Sequence, residues 1–130
     1  MDIITILQQD YQRFPHNQTY SIYAPDVYFQ DPIFQFRGIE KYKWMIKFIQ
    51  TFFLNPKMDL HAIQKEGNTI HTNWTLTWNT PLPWKPRIRI PGRSELRLNS
   101  EGQLIVSHID YWNCSRLDVL KQHLFPSKAG

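Results

Sequence analysis

Val27-Tyr28-Phe29-Gln30-Asp31-Pro32, followed by Arg37-Gly38 and an apolar run at helical spacing, is the stretch on which the fold turns. From Val27 to Asp31 apolar and polar side chains alternate, the period of a half-buried strand. Pro32 has no N–H to offer a ladder and stops it. Gly38 then opens the strongest helical pattern in the chain. Tyr42, Ile46, Ile49 and Phe53 make one stripe, Met45, Phe48 and Phe52 widen it, and Lys41, Lys43 and Lys47 lie towards the other side. Asn55-Pro56 is expected to end the helix.

Working back from this stretch, Asp2 is placed to cap a first helix whose apolar stripe is Ile3, Leu7, Tyr11 and Phe14, with Pro15 as its stop. Residues 18–23 read as one further helical turn. Working forward, the period drops from 3.6 to 2. Met58, Leu60 and Ala62 alternate with polar neighbours, and Glu66-Gly67-Asn68 reads as a hairpin turn. The next strand sets Ile70, Trp74, Leu76 and Trp78 against His71, Asn73, Thr75, Thr77 and Asn79. After a Pro-rich loop, a further strand sets Ile88, Ile90, Ser94, Leu96 and Leu98 against Arg87, Arg89, Arg93 and Arg97. Pro91-Gly92 within it suggests a bulge or bend. Asn99 to Gly102 turns the chain into a last strand, Gln103 to Trp112. Ser115 with Asp118 forms a capping-box pair for a terminal helix carrying Leu117, Leu120 and Leu124.

This order, helix, strand, helix, then consecutive strands joined by hairpins, predicts an α+β domain over residues 1–130. Its curved antiparallel sheet wraps around helices as a cone with a pocket at the open end. Bulk composition agrees. The hydrophobic share is 42% and the aromatic share 15%, with five Trp, six Tyr and eight Phe, so the chain has rings to bury and is not expected to be disordered. Cys114 is the one cysteine, which excludes an intrachain disulfide and fits a cytoplasmic location. No apolar run reaches membrane-spanning length, so no membrane partner is expected.

The residues Asp31-Pro32, Gly38 with Tyr42, and His108-Ile109-Asp110-Tyr111-Trp112 give the chain a resemblance to the nuclear transport factor 2-like superfamily, which is cystatin-like in shape. SnoaL-like cyclases and ketosteroid isomerase are members. More narrowly, the chain resembles an uncharacterised family of cyanobacterial and plastid proteins within it. The resemblance implies a pocket, and it implies that Asp31 stands where the isomerase keeps its general base. It matches Tyr11 to the oxyanion-hole tyrosine, and it puts Ser94 where the isomerase has a second Asp. Ser94 is the departure: a hydroxyl donates a hydrogen bond without the strength of an acid, which argues against steroid-type isomerisation.

The residues supply the remaining candidates. Asp31 shares a strand face with Phe29, and a carboxyl among apolar walls has its pKa raised; its plainer role is to accept backbone N–H groups in an Asp-Pro turn. His108, Asp110 and Trp112 alternate onto one face, and residues two apart on a strand stand roughly 6.5–7 Å apart, so His108 and Asp110 are not expected to bond each other. The candidate catalytic residues are therefore Asp31, His108 and Tyr11. The candidate ligand-binding residues are Phe29, Trp74, Trp78, Ser94, Asp110 and Trp112. His16, His61, His71 and His123 show no metal-ligand spacing, and no metal or cofactor is expected. Net charge is +4, and the one-faced arginine ladder reads as a solvated strand face rather than a nucleic-acid site.

Three functions follow in order of preference. The first is binding of a small apolar or aromatic molecule, the second acid–base catalysis as an isomerase, lyase or cyclase. The third is an interaction module that forms a homodimer through the outer sheet face, where Ile105, Ile109 and Tyr111 are expected.

Overall fold

In the computed structural model, which describes residues 2–125, helix α1 spans Ile3–Arg13 and a 3₁₀ turn spans Tyr20–Ile22. Strand β1 (Tyr23–Gln30), strand β2 (Gln35–Arg37) and helix α2 (Ile39–Phe52) follow. Then come β3 (Leu54–Glu66), β4 (Thr69–Asn79), β5 (Arg87–Leu98), β6 (Ile105–Trp112) and helix α3 (Arg116–Leu124). The strands form one sheet of six in the order β2-β1-β6-β5-β4-β3.

The sheet is mixed rather than purely antiparallel. Strand β1 runs parallel to β6, with Phe29 opposite His108 and Gln30 opposite Ile109, while the other pairings are antiparallel. The hairpin signals that order β3 to β6 say nothing about an early strand, which is free to dock on either side of the last one.

Local chemistry explains most boundaries. Asp2 Oδ1 accepts the Thr5 N–H at 2.8 Å and caps α1. Gly38 caps α2 with φ 113°, a value open to glycine and strained for other residues, and its N–H donates to the Val27 carbonyl at 2.8 Å. Asn55-Pro56 does not end α2, which stops at Phe52; the pair lies inside β3 at a register shift, with Asn55 at φ 50°. Strand β2 is too short for its alternation to register in sequence.

Alternation along β4 and β5 holds. Ile70, Thr72, Trp74, Leu76 and Trp78 are buried on the inner face with Ile88, Ile90, Ser94, Leu96 and Leu98. Arg87, Arg89, Arg93 and Arg97 are exposed. Pro91-Gly92 is no bulge, because the β4–β5 register runs through it unbroken, with Trp74 opposite Gly92. Gly92 is needed for room: a Cβ there would stand 2.5 Å from Cη2 of the Trp74 indole.

The shift lies instead between Arg97 and Leu98, where Ser107 and then Ile105 face them from β6. That extra residue turns Ile105 inward, and it is fully buried in the core with Leu7, Val27, Ile70 and Leu96. The expectation that Ile105 belongs to the outer face is therefore corrected. Helix α3 buries Val119, whereas Leu117, Leu120 and Leu124 are exposed. Likewise α2 buries Tyr42, Met45 and Ile46 but leaves Phe48 and Phe52 exposed.

A candidate ligand cavity

The inner faces of β4 and β5 meet α1, α2 and α3 around a cavity of about 580 Å³. Its walls are largely apolar, from Phe14, Phe29, Met45, Ile46, Phe53 and Leu76 among others. Each candidate from the sequence lines it: Asp31, His108, Tyr11, Phe29, Trp74, Trp78, Ser94, Asp110 and Trp112. Phe53 stacks on Trp78 with ring centroids 4.1 Å apart, and Phe29 lies 5.0 Å from the His108 ring.

Several polar groups on the wall form a connected cluster around Asp110. Trp74 Nε1–H donates to Ser94 Oγ at 2.8 Å, and Ser94 Oγ donates in turn to Asp110 Oδ1. His108 Nε2 lies 2.8 Å from the same oxygen, Asp110 Oδ1. The expectation that His108 and Asp110 stay apart is corrected: their Cα atoms are two residues apart, but both side chains reach along one face and close the gap. On its other side His108 Nδ1 is 3.3 Å from the Tyr23 hydroxyl, which lies 3.3 Å from that of Tyr42. Tyr11 OH pairs with Thr72 Oγ1 at 2.7 Å.

Asp110 Oδ1 takes both bonds. Among the described residues Oδ2 has no hydrogen-bond partner, and none of their buried side-chain polar atoms lacks one, so Oδ2 is not fully buried.

Asp31 sits one residue beyond β1 and not within it. Its Oδ1 accepts the Ile33 and Phe34 N–H groups, the turn chemistry that Asp-Pro favours. Burial raises its pKa above the ordinary carboxylate value; the Phe34 and Ile33 N–H groups oppose this, Asp110 adds to it and His108 counters it. No hydrogen bond joins Asp31 to His108 or Tyr11 among the described residues, so the three share a cavity without forming a bonded triad. Burial, with Asp110 nearby, pushes the Tyr11 hydroxyl up to about 12, and burial pushes Tyr23 and Tyr42 up as well.

Sequence reasoning missed Tyr23, Tyr42 and Thr72. Tyr42 was read as core, Thr72 was passed over between its apolar neighbours, and Tyr23 fell at an expected helical turn. Asp10, also missed, is buried and accepts from Thr19 N, Thr19 Oγ1 and Arg13, tying the segment after α1 back onto it. No group of His, Cys, Asp and Glu placed to hold a metal ion occurs among the described residues. No helix among them is long and apolar enough to cross a membrane.

Residues 1–108 match the sequence profile of the uncharacterised conserved protein family DUF2358. The chain belongs to the DUF2358 family. This DUF2358 match ends at His108, short of Asp110 and Trp112. Among curated proteins none matches the chain.

Solved structures resemble it closely in shape. A putative SnoaL-like polyketide cyclase from Jannaschia sp. CCS1 aligns with TM-score 0.77 at 12% identity, covering 95% of this chain and 92% of its own. A hypothetical protein with a ketosteroid isomerase-like fold from Catenulispora acidiphila DSM 44928, in complex with trimethylamine, aligns with TM-score 0.75 at 18% identity, covering 96% and 94%. An LEH-like epoxide hydrolase from M. tuberculosis aligns with TM-score 0.69 at 16% identity, covering 93% and 86%. At such identities the likeness establishes the fold: this DUF2358 member has the nuclear transport factor 2-like α+β fold.

Proposed function

We propose that this protein binds a small, largely apolar molecule in the cavity and holds one hydrogen-bond donor of that molecule at Asp110 Oδ2. The observation that carries this reading is a cavity of about 580 Å³ with largely apolar walls and a hydrogen-bonded polar cluster around Asp110. Such volumes suit drug-sized ligands, and a few convergent polar groups fix their orientation. Phe29, Trp74, Trp78 and Trp112 supply the aromatic wall. Ser94 and His108 hold the Asp110 carboxyl, so that Oδ2 is presented in a fixed direction.

Dodecanol and dodecane are suitable probes, read by the blue shift of the cavity tryptophans' emission as water is displaced. Dodecanol is expected to bind more tightly than dodecane. Asp110→Asn keeps an acceptor at Oδ1 for Ser94 and His108 but replaces Oδ2 by an NH₂ donor. It should cost dodecanol about tenfold in affinity, the scale of one hydrogen bond to a charged group, and leave dodecane unaffected. Equal affinity of both probes for both proteins would remove Asp110 as the anchor, and no binding of either would remove the cavity as the site.

A second reading is favoured by one observation, the raised pKa of Asp31 at a shared cavity. In it the protein is an isomerase, lyase or cyclase with Asp31 as base, and His108 or Tyr11 steadies the charge that develops on the substrate. We also retain from the sequence a cyanobacterial or plastid origin, a cytoplasmic location, and a homodimer through the outer face that carries Ile109 and Tyr111.

A further inference from the structure

The opening of the cavity is rimmed by apolar side chains that stand exposed among the described residues. Ile33 is 62% exposed and Phe52 47%, and both line the cavity, as do the exposed Phe34 and Phe48. On α2, Trp44, Phe48 and Phe52 recur at every fourth residue and so form one stripe. Their rings touch in sequence, with centroids 6.0 Å apart for Trp44–Phe48 and 4.8 Å for Phe48–Phe52. Trp44 is 64% exposed. The stripe lies beside the buried one of Tyr42, Met45 and Ile46, so packing against the sheet does not explain it.

Lysines flank it. Lys41 precedes Trp44 by three residues, Lys47 follows it by three, and both are exposed, as is Lys43. The acidic residue in the first turn of α2, Glu40, lies 3.3 Å from Lys43.

We propose that this rim docks on the surface of an anionic lipid bilayer, so that the apolar ligand passes between bilayer and cavity without crossing water. The proposal rests on the reading of the cavity as an apolar ligand site. An exposed helix face of Trp and Phe bordered by lysines suits the boundary between headgroups and acyl chains. Rings enter the boundary, while each lysine is drawn to anionic headgroups. A second copy of this chain fits poorly, because joining two such rims sets lysines against lysines. That no helix among the described residues is long and apolar enough to span a bilayer is no obstacle, since a helix lying on the interface needs no such length.

The test is co-sedimentation of the full chain with vesicles of phosphatidylcholine, with and without phosphatidylglycerol. Each protein is also titrated with dodecanol in solution. Trp44→Glu, and Lys41→Glu with Lys47→Glu, change exposed positions that do not line the cavity, and circular dichroism checks that each folds. The parent chain is expected to sediment with the anionic vesicles and to be released by salt. Each variant should lose roughly tenfold or more in partitioning while keeping its dodecanol affinity. Indifference to both kinds of vesicle, with dodecanol still bound, overturns docking and leaves the cavity reading standing; an acidic protein or a second copy covering the rim would give that result. Sedimentation that the variants retain, or that does not depend on phosphatidylglycerol, overturns the rim as the docking surface. Vesicle binding without dodecanol binding overturns the cavity reading, and with it the passage of ligand, while the docking of the rim stands.

Discussion

Asp31 shows how one side chain can serve two purposes. Its Oδ1 holds the turn after β1 by accepting two N–H groups, and partial burial raises its pKa. A raised carboxyl pKa means that the native state holds the proton more tightly than the unfolded chain. Its contribution to stability is therefore greatest at low pH, and it falls as pH rises from the ordinary value of 3.8 through the folded value. Asp31→Asn keeps an acceptor for Ile33 and Phe34 and removes the titration. Denaturant unfolding between acid and neutral pH should show a flatter pH profile for the variant. A folded-state pKa below 3.8 by NMR would reverse the sign and remove Asp31 as a base near neutrality. The Asp31 candidate was legible from its place before Pro32 and after Phe29. The His108–Asp110 bond was not, because Cα spacing along a strand sets a side chain's root and not its reach.

At the scale of elements, patterns that repeat were readable and patterns set by neighbours were not. The capping box on α3 was legible from Ser115 and Asp118, and the structure has both bonds. The burial of α3 was not, because Leu117, Leu120 and Leu124 form the obvious stripe yet Val119 enters the core beside Trp74 and Trp78. Val119 and His123 also line the cavity. Ser115→Ala should therefore weaken α3 by about 1 kcal/mol. The expected sign is faster amide exchange confined to α3, together with weaker dodecanol binding. Faster exchange spread over the whole sheet would mean instead that α3 is not a separable wall. Likewise β4 and β5 were legible from strict alternation, whereas the bulge expected at Pro91-Gly92 is not there. The reason for Gly92 is the Trp74 ring packed on it, which lies on another strand.

The molecule as a whole was legible as an α+β cone because composition, hairpin turns and the Asp-Pro and Gly38 signals agree. What escaped was the long-range pairing of β1 with β6, which brings Phe29 beside His108 across most of the chain. That pairing has a consequence in time. The hairpins from β3 to β6 join residues close in sequence and can form early, whereas β1, with β2 and α2 behind it, has no sheet to join until β6 exists. During synthesis the first third of the chain can gather Phe29, Tyr42, Met45 and Ile46 into their own cluster but leaves one edge of β1 unpaired until β6 arrives, a state in which a nascent chain needs a chaperone. Pulsed hydrogen exchange during refolding should find the amides of Phe29 and Gln30 protected after those of β4 and β5, with dodecanol binding appearing in the same late phase. Simultaneous protection would mean that the parallel pair belongs to the folding nucleus. In the expected order the cavity is the last part of the protein to exist, so a newly made chain cannot hold a ligand until its final strand has left the ribosome.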